Sequence, residues 1–462
     1  MERKFDVIII GAGPAGIFAA LELIRLDSNI NVVILEKGSD LESRISKVKE
    51  REFKKETIDP VFCGWGGAGA FSDGKLNLSR GIGGILDEYI EADELDSLID
   101  YVDNIYIEYG APEEIYGCET DKVKILVEDA AKYDLKLIPF KIRHLGTDRC
   151  APLLKNISDD LIKSTEIKFD TEVEDILVED KRVVGVSTKS GEKFYGDYII
   201  VSPGRGGASW LNSVARKINL NTLTNPVDIG VRIELPASIM KHLTDICYES
   251  KFLFYSKKFD DHVRTFCMNP YGEVVREYNN GMSTVNGHSY STHRSENTNF
   301  AILVRTIFTE PFHEPISYGE YIARLANLLG NTVVIQRLGD LMHGRRSTYE
   351  RINRGIVKPT LHDATPGDLS FVIPYRFMQD ILEMIESLDK IAPGVNSRHT
   401  LIYGMEVKFY SQRITLNKDF ETEIANLFAV GDGAGITRGL VQASVSGVVA
   451  ARGIFRKEEK MG

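Results

Sequence analysis

The stretch Phe5 to Gly16, "FDVIIIGAGPAG", decides the fold. Phe5 to Ile10 is a short β-prone run that leads directly into Gly11-Ala12-Gly13-Pro14-Ala15-Gly16. The following "IFAALELIRLD" repeats apolar residues at helical spacing, and "NVVILEKG" supplies a second buried strand ending at Glu36, with Lys37 beside it. In such a strand, turn, helix unit each glycine has its own task. Gly11 makes the tight turn, Gly13 lets a pyrophosphate approach, and Gly16, next to the small Ala15, lets the helix pack closely on the strand. The helix N-terminus adds unpaired amides and a positive dipole end. Glu36 falls where a carboxylate accepts the ribose hydroxyls of an adenosine.

A second signal lies at the far end, in "IANLFAVGDGAGITRGLVQASVSGVVAARGIF", Ile424 to Phe455. "LFAVGD" reads as a strand ending at Gly431-Asp432, and from Gly439 a helix carries Leu440, Val441, Val445, Val448 and Val449 with small residues between them. Together the two terminal segments resemble the glutathione-reductase-type FAD fold. That resemblance implies that the first motif holds the ADP half and Gly431-Asp432 the ribityl chain and pyrophosphate. It also implies that the amides from Gly439 to Gln442 face the flavin N1/C2 edge and favour the anionic reduced ring. FAD is therefore expected ahead of NAD. Between the two ends, residues 166–204 have the rhythm of a β-meander with turns at Glu179-Asp180 and Ser190-Gly191. Val173 would take the adenine position, and "VSPG", ending at Gly204, departs from the family's "ATG"-like turn.

"CGWGGAGAFSDGKLNLS", Cys63 to Ser79, is too irregular for a helix and too glycine-rich for an ordinary strand. By analogy with related folds it passes along the pyrophosphate and ring, with Gly64, Gly66, Gly67, Ala68 and Gly69 permitting the approach. Ser72 and Asp73 are candidate partners for ring or ribityl atoms. Lys75 would offset negative charge near N1, N5 or phosphate and is a candidate catalytic residue. The plainer alternative is a tight turn with Asp73-Gly74 at its apex and Lys75 in solvent. Cys63 has no nearby partner for redox work and reads as a small buried residue.

The composite motifs "GWGGAGAFSDGKL" (64–76), "NGMS" (280–283), "RLGDLMHGRRST" (337–348), "LIYGMEVKFYS" (401–411) and "VGDGAGITRGLVQASVSGVVAARGI" resemble a family of uncharacterised FAD-dependent dehydrogenases of bacteria and archaea, over essentially the whole chain. The resemblance implies an α/β architecture: a Rossmann-like FAD-binding domain of glutathione-reductase type, built from residues 1–205 and 400–462, with an inserted α+β substrate or cap domain at 206–399. No second GxGxxG follows a strand, so no separate NAD(P)H domain is expected. NAD(P)H would enter the substrate cavity, or another carrier or the substrate itself would supply electrons.

The expected activity is hydride transfer between flavin N5 and a small organic substrate, at a C=C or carbon-heteroatom bond. A cavity against the flavin re face would hold Arg345, Glu406 or the His288 region near N5. Arg345 and Arg346 offer forked donors to a carboxylate or phosphate, and His288 and His293 flank Tyr290 as possible proton donors. Glu406 and Lys408, two apart on a strand, share a face and can form an ion pair.

Composition narrows the alternatives. At 462 residues, two domains are expected. A formal charge of -11 without a basic tract argues against nucleic acid as the main partner. No run reaches the ~20 apolar residues of a membrane span, and the protein reads as cytoplasmic. The five cysteines are scattered and no ligand spacing suggests a metal. An FAD-containing nucleic-acid modification enzyme and a non-catalytic flavin-binding or sensor protein are the other two classes; oligomeric state is left open.

Overall fold

The computed structural model describes residues 4–49, 60–72, 74–117, 120–223, 225–279, 281–290, 293–306, 308, 314–330, 332–409 and 412–459. Asp73, Cys118, Asn280 and residues 410–411 lie outside them. The chain forms two compact units: residues 1–114, 143–225 and 411–462 make the first, and residues 115–142 and 226–410 the second.

In the first unit the run Lys4–Ile10 becomes the centre of a sheet. It pairs in parallel with Val32–Leu35 on one side and Lys193–Val201 on the other, with Ile8 opposite Val33 and Ile199. Val7, Ile8 and Ile9 have no exposed surface, as expected for a parallel strand covered on both faces. Glu166–Lys168 extends the parallel part beyond Val32–Leu35. Val173–Glu179, Arg182–Thr188 and the start of Lys193–Val201 form an antiparallel meander, and Leu427–Ala429 returns from the far end of the chain to lie parallel to Ile199–Val201.

The helix Pro14–Leu26 starts with Pro at its first position, where the missing N–H has no intrahelical acceptor in any case. Against it lies the last helix, Leu440–Glu459. Their approach depends on Gly447: a Cβ there would overlap the Ala15 carbonyl oxygen and come within 2.9 Å of the Ala19 nitrogen. Gly447→Ala is expected to force the helices apart and cost about 2 kcal/mol, read as a lower denaturant midpoint at unchanged slope; an unchanged midpoint would refute the close contact.

The second unit carries, among its described residues, an eight-stranded sheet. Its strand order is Thr365–Pro366, Val334–Arg337, Leu401–Lys408, Val227–Pro236, Asn297–Thr306, His262–Asn269, Lys251–Tyr255 and Lys136–Ile138. The helices Pro315–Gly330 and Tyr375–Ile391 and the hairpin strands Glu273–Asn279 and Met282–His288 belong to the same unit.

The units divide the chain at other places than the sequence boundaries of 205/206 and 399/400. Helix Ala208–Lys217 buries Leu211, Val214 and Ala215 in the first core, and Asn225 Nδ2 donates to the Gly435 carbonyl at 3.0 Å. Leu401–Lys408 is an interior strand of the second sheet, between Val334–Arg337 and Val227–Pro236. Residues 115–142 join the second unit because Lys136–Ile138 pairs with Lys251–Leu253.

Candidate functional site

The glycine turn is clasped by its neighbours. Gly11 adopts φ +98°, where a side chain is strained and a Cβ would overlap the Ser202 carbonyl. Its amide donates to Leu35 O at 2.8 Å, and Ser202 Oγ lies 2.8 Å from Ile10 O and 3.0 Å from Gly11 O. Beside Gly13 there is open space: a Cβ built there meets nothing within 4 Å.

Glu36 is the hub. Its Oε2 accepts the Ala12 amide at 2.7 Å, and its Oε1 accepts the amides of Gly38 and Gly64, each at 2.9 Å. The carboxylate therefore joins the end of its own strand, the first glycine turn and the second glycine loop. A carboxylate has about four acceptor positions, so one remains after three amides, available to a ribose hydroxyl.

The second loop is held from below by a residue the sequence reading passed over. Arg44 is fully buried in the helix Leu41–Lys49. Its guanidinium donates to the carbonyls of Pro60 at 2.9 Å, Val61 at 3.0 Å, Gly67 at 2.9 Å and Trp65, and packs over the Phe71 ring. Gly66 N donates to Ala12 O at 2.8 Å, and Gly67 packs against Gly13, so the two glycine segments lie side by side, with Ala68 following in the short 3-10 turn Gly67–Phe71. The Ser72 hydroxyl donates to Gly69 O at 3.0 Å and accepts the Gly74 amide at 3.2 Å. Lys75 opens the strand Lys75–Asn77 and is only 7% exposed, which corrects the alternative that left it in solvent. Cys63 is buried, and burial pushes its thiol up, away from the reactive thiolate.

The far end of the chain closes the same region. Gly431 adjoins Ala15, its amide donating to Ser446 Oγ at 3.0 Å. Asp432 accepts Thr437 Oγ1 at 2.7 Å and lies 3.6 Å from Arg205 Nε; burial pushes its carboxyl up, against the pull of Arg205. The start of the last helix is fixed by Arg438 N to Gly83 O at 2.7 Å and by Gln442 Nε2 to the carbonyls of Arg80 and Ile82 at 2.8 and 2.9 Å. Leu440 packs on Gly69, and the first-turn amides of Leu440, Val441 and Gln442 have no intrahelical acceptor. Gly204, at φ +61°, also borders open space, Lys37 Nζ reaches Gly206 O at 3.5 Å, and Val173 is buried at the start of its strand.

Glu406, His288 and Arg345 belong to the second unit. Glu406 is fully buried, its two oxygens each 2.7 Å from the Arg232 guanidinium, with Lys408 Nζ at 3.1 Å. Arg232 also donates to Asn299 Oδ1, Cys267 O and Asn286 Oδ1. A carboxylate committed in this way ties the neighbouring strands Val227–Pro236 and Leu401–Lys408 together. Arg345 donates through Nε to the buried Asp340 at 2.9 Å. His288 ends the strand Met282–His288 opposite Glu273, whose carboxylate lies 2.8 Å from His293 Nε2.

Ser202, Arg205, Thr437 and Ser446 were not singled out from sequence either. For Ser202 a signal existed: it lies in "VSPG", the stretch that departs from the usual turn, and its hydroxyl clasps Gly11. Among the described residues no group of His, Cys, Asp and Glu is set to hold a metal, and no helix is long and apolar enough to cross a membrane.

Residues 6–47 match the model of an FAD binding domain, and residues 226–409 match the model described as FAD-dependent protein, C-terminal domain-like. The open floor at Gly13, the remaining acceptor position of Glu36 and the first-turn amides at 440–442 fit that dinucleotide, and FAD is the cofactor. The class so defined is an FAD-dependent protein. More particularly, the chain is 27% identical over 487 residues to an uncharacterised protein of Clostridium beijerinckii, covering 99% of this chain and 82% of that one. It is 34% identical over 66 residues to the mitochondrial electron transfer flavoprotein-ubiquinone oxidoreductase of rice, covering 13% of this chain and 11% of that one. A solved formate oxidase of Aspergillus oryzae is 11% identical, with a TM-score of 0.47 and all of both chains covered.

Proposed function

We propose that the protein exchanges a hydride between FAD and a small organic substrate, at a C=C or carbon-heteroatom bond. FAD supplies, when bound, a two-electron donor and acceptor at N5. The turn at Gly11 to Gly16 holds the pyrophosphate, with the 64–69 loop packed beside it through Gly66 and Gly67, Glu36 takes the adenosine ribose, and Asp432 accepts a ribityl hydroxyl. The amides at 439–442 and the buried Lys75 favour negative charge on the ring. The finer reading, a glutathione-reductase-type fold, draws support from the parallel sheet, its antiparallel meander and the returning strand Leu427–Ala429.

The observation that carries the proposal is the triple amide clasp of Glu36, which joins both glycine segments around open space. NADH or NADPH serves as a donor without a dedicated domain. Anaerobic mixing of the holoprotein with NADH, NADPH and a panel of organic donors tests the activity: one of them is expected to bleach the flavin absorbance, and an acceptor to restore it. A flavin that no member of either panel reduces or reoxidises favours a binding or sensor role instead.

Lys75→Ala supplies a second check. Loss of the cation is expected to lower the flavin midpoint potential by about 30 mV, equivalent to a tenfold change for a two-electron couple. An unchanged potential, spectrum and FAD affinity would remove Lys75 from the site.

A further inference from the structure

The segment Arg337 to Thr348, noted for its basic residues, continues into a larger collection of cations in the second unit. Three guanidiniums, those of Arg337, Arg345 and Arg351, face one buried carboxylate, and the charges of Arg354 and Arg398 act on Arg337. Asp340 accepts Arg345 Nε at 2.9 Å and Ser347 Oγ at 2.8 Å; Arg351 and Arg337 stand 3.9 and 4.0 Å away. Arg345, the anion ligand expected from sequence, is thus already engaged.

The unmet demand lies on the other side of Arg337. That residue is 6% exposed, its Nη1 donates to Arg351 O at 3.2 Å, and its Nε is buried without an acceptor. Next to it runs the 398–400 segment, where Leu338 N donates to Thr400 O at 2.8 Å and Gly339 N to Arg398 O at 3.2 Å. Arg398 Nε donates to His399 Nε2 at 3.2 Å, so the neutral imidazole carries its hydrogen on Nδ1, which is also buried without an acceptor and faces Gly355. Arg354 and Arg398 are exposed, and among the described residues neither side chain has an acidic partner within salt-bridge distance. Burial, together with the charges of Arg354, Arg398 and Arg345, pushes the Arg337 guanidinium down, against the pull of Asp340.

Two buried orphan donors in one place call for a cause, since the great majority of buried polar groups are paired. We propose that Arg337, Arg354, Arg398 and His399 form a binding site for the phosphate group of a small ligand. Three guanidiniums and an imidazole N–H exceed what a carboxylate with one charge requires. They match a phosphate monoester, which has close to two charges and three acceptor oxygens. The site stands independently of the flavin reaction and would hold either a free phosphate ion or a phosphorylated organic molecule.

Holoprotein titrated calorimetrically with inorganic phosphate, against sodium chloride at matched ionic strength, is expected to show saturable binding. Arg354→Ala combined with Arg398→Ala, both surface changes, should weaken it about tenfold or more while FAD content and melting in chloride stay as in the parent. Ribose 5-phosphate, with ribose as control, separates the sources: tighter binding than inorganic phosphate assigns the site to a phosphorylated organic ligand, and equal binding to the ion. Absence of saturable binding by the parent protein, or equal binding by the double variant, overturns the site.

Discussion

Glu406→Ala, made while Arg232 remains, is expected to remove about 3–5 kcal/mol of stability, because it leaves a fully buried guanidinium without its carboxylate. Replacing both partners, Arg232→Met with Glu406→Leu, should recover most of that loss, since apolar residues of similar volume do not need the missing charge. The measurement is denaturant unfolding of the second unit alongside flavin reduction per folded molecule. If Glu406→Ala leaves stability intact and abolishes reduction, the residue is catalytic and its role in the sheet has been misread.

Glu36→Ala is the second large effect. Three backbone amides lose a charged acceptor at once, each such bond contributing about 1.5–3 kcal/mol and not adding fully. The expected outcome is a loss of about 4 kcal/mol in FAD affinity, roughly a thousandfold rise in Kd, followed by flavin fluorescence on dilution. Glu36→Gln should fall between, because its amide oxygen still accepts while its NH2 faces a donor. A Gln variant that purifies fully loaded, with parental affinity, would contradict the clasp.

Both predictions concern residues whose surroundings were unevenly legible in the sequence. The run Phe5 to Ile10, the turn at Gly11 and the helix Tyr375–Ile391 follow from local pattern, because periodicity and glycine chemistry act over a few residues. The ion pair of Glu406 with Lys408 also follows from strand alternation, whereas the stronger partner, Arg232, lies 174 residues away on a neighbouring strand. Arg44 reads as one more charge on a charged helix, and only the folding of residues 60–67 onto it makes it a buried staple. The membership of residues 115–142 in the second unit depends on a three-residue strand finding Lys251–Leu253, information that local sequence does not hold.

The pairing of the first and last helices sets the order of events during synthesis. Arg452 Nε donates to Glu22 Oε1 at 2.7 Å across 430 residues of chain. At translation rates of about 5–20 residues per second, the N-terminal strand and glycine turn wait for tens of seconds before the helix that covers them exists. Throughout that interval the hydrophobic face of Pro14–Leu26 lacks its partner, so the first glycine turn gains its covering helix only once Leu440–Glu459 has been made.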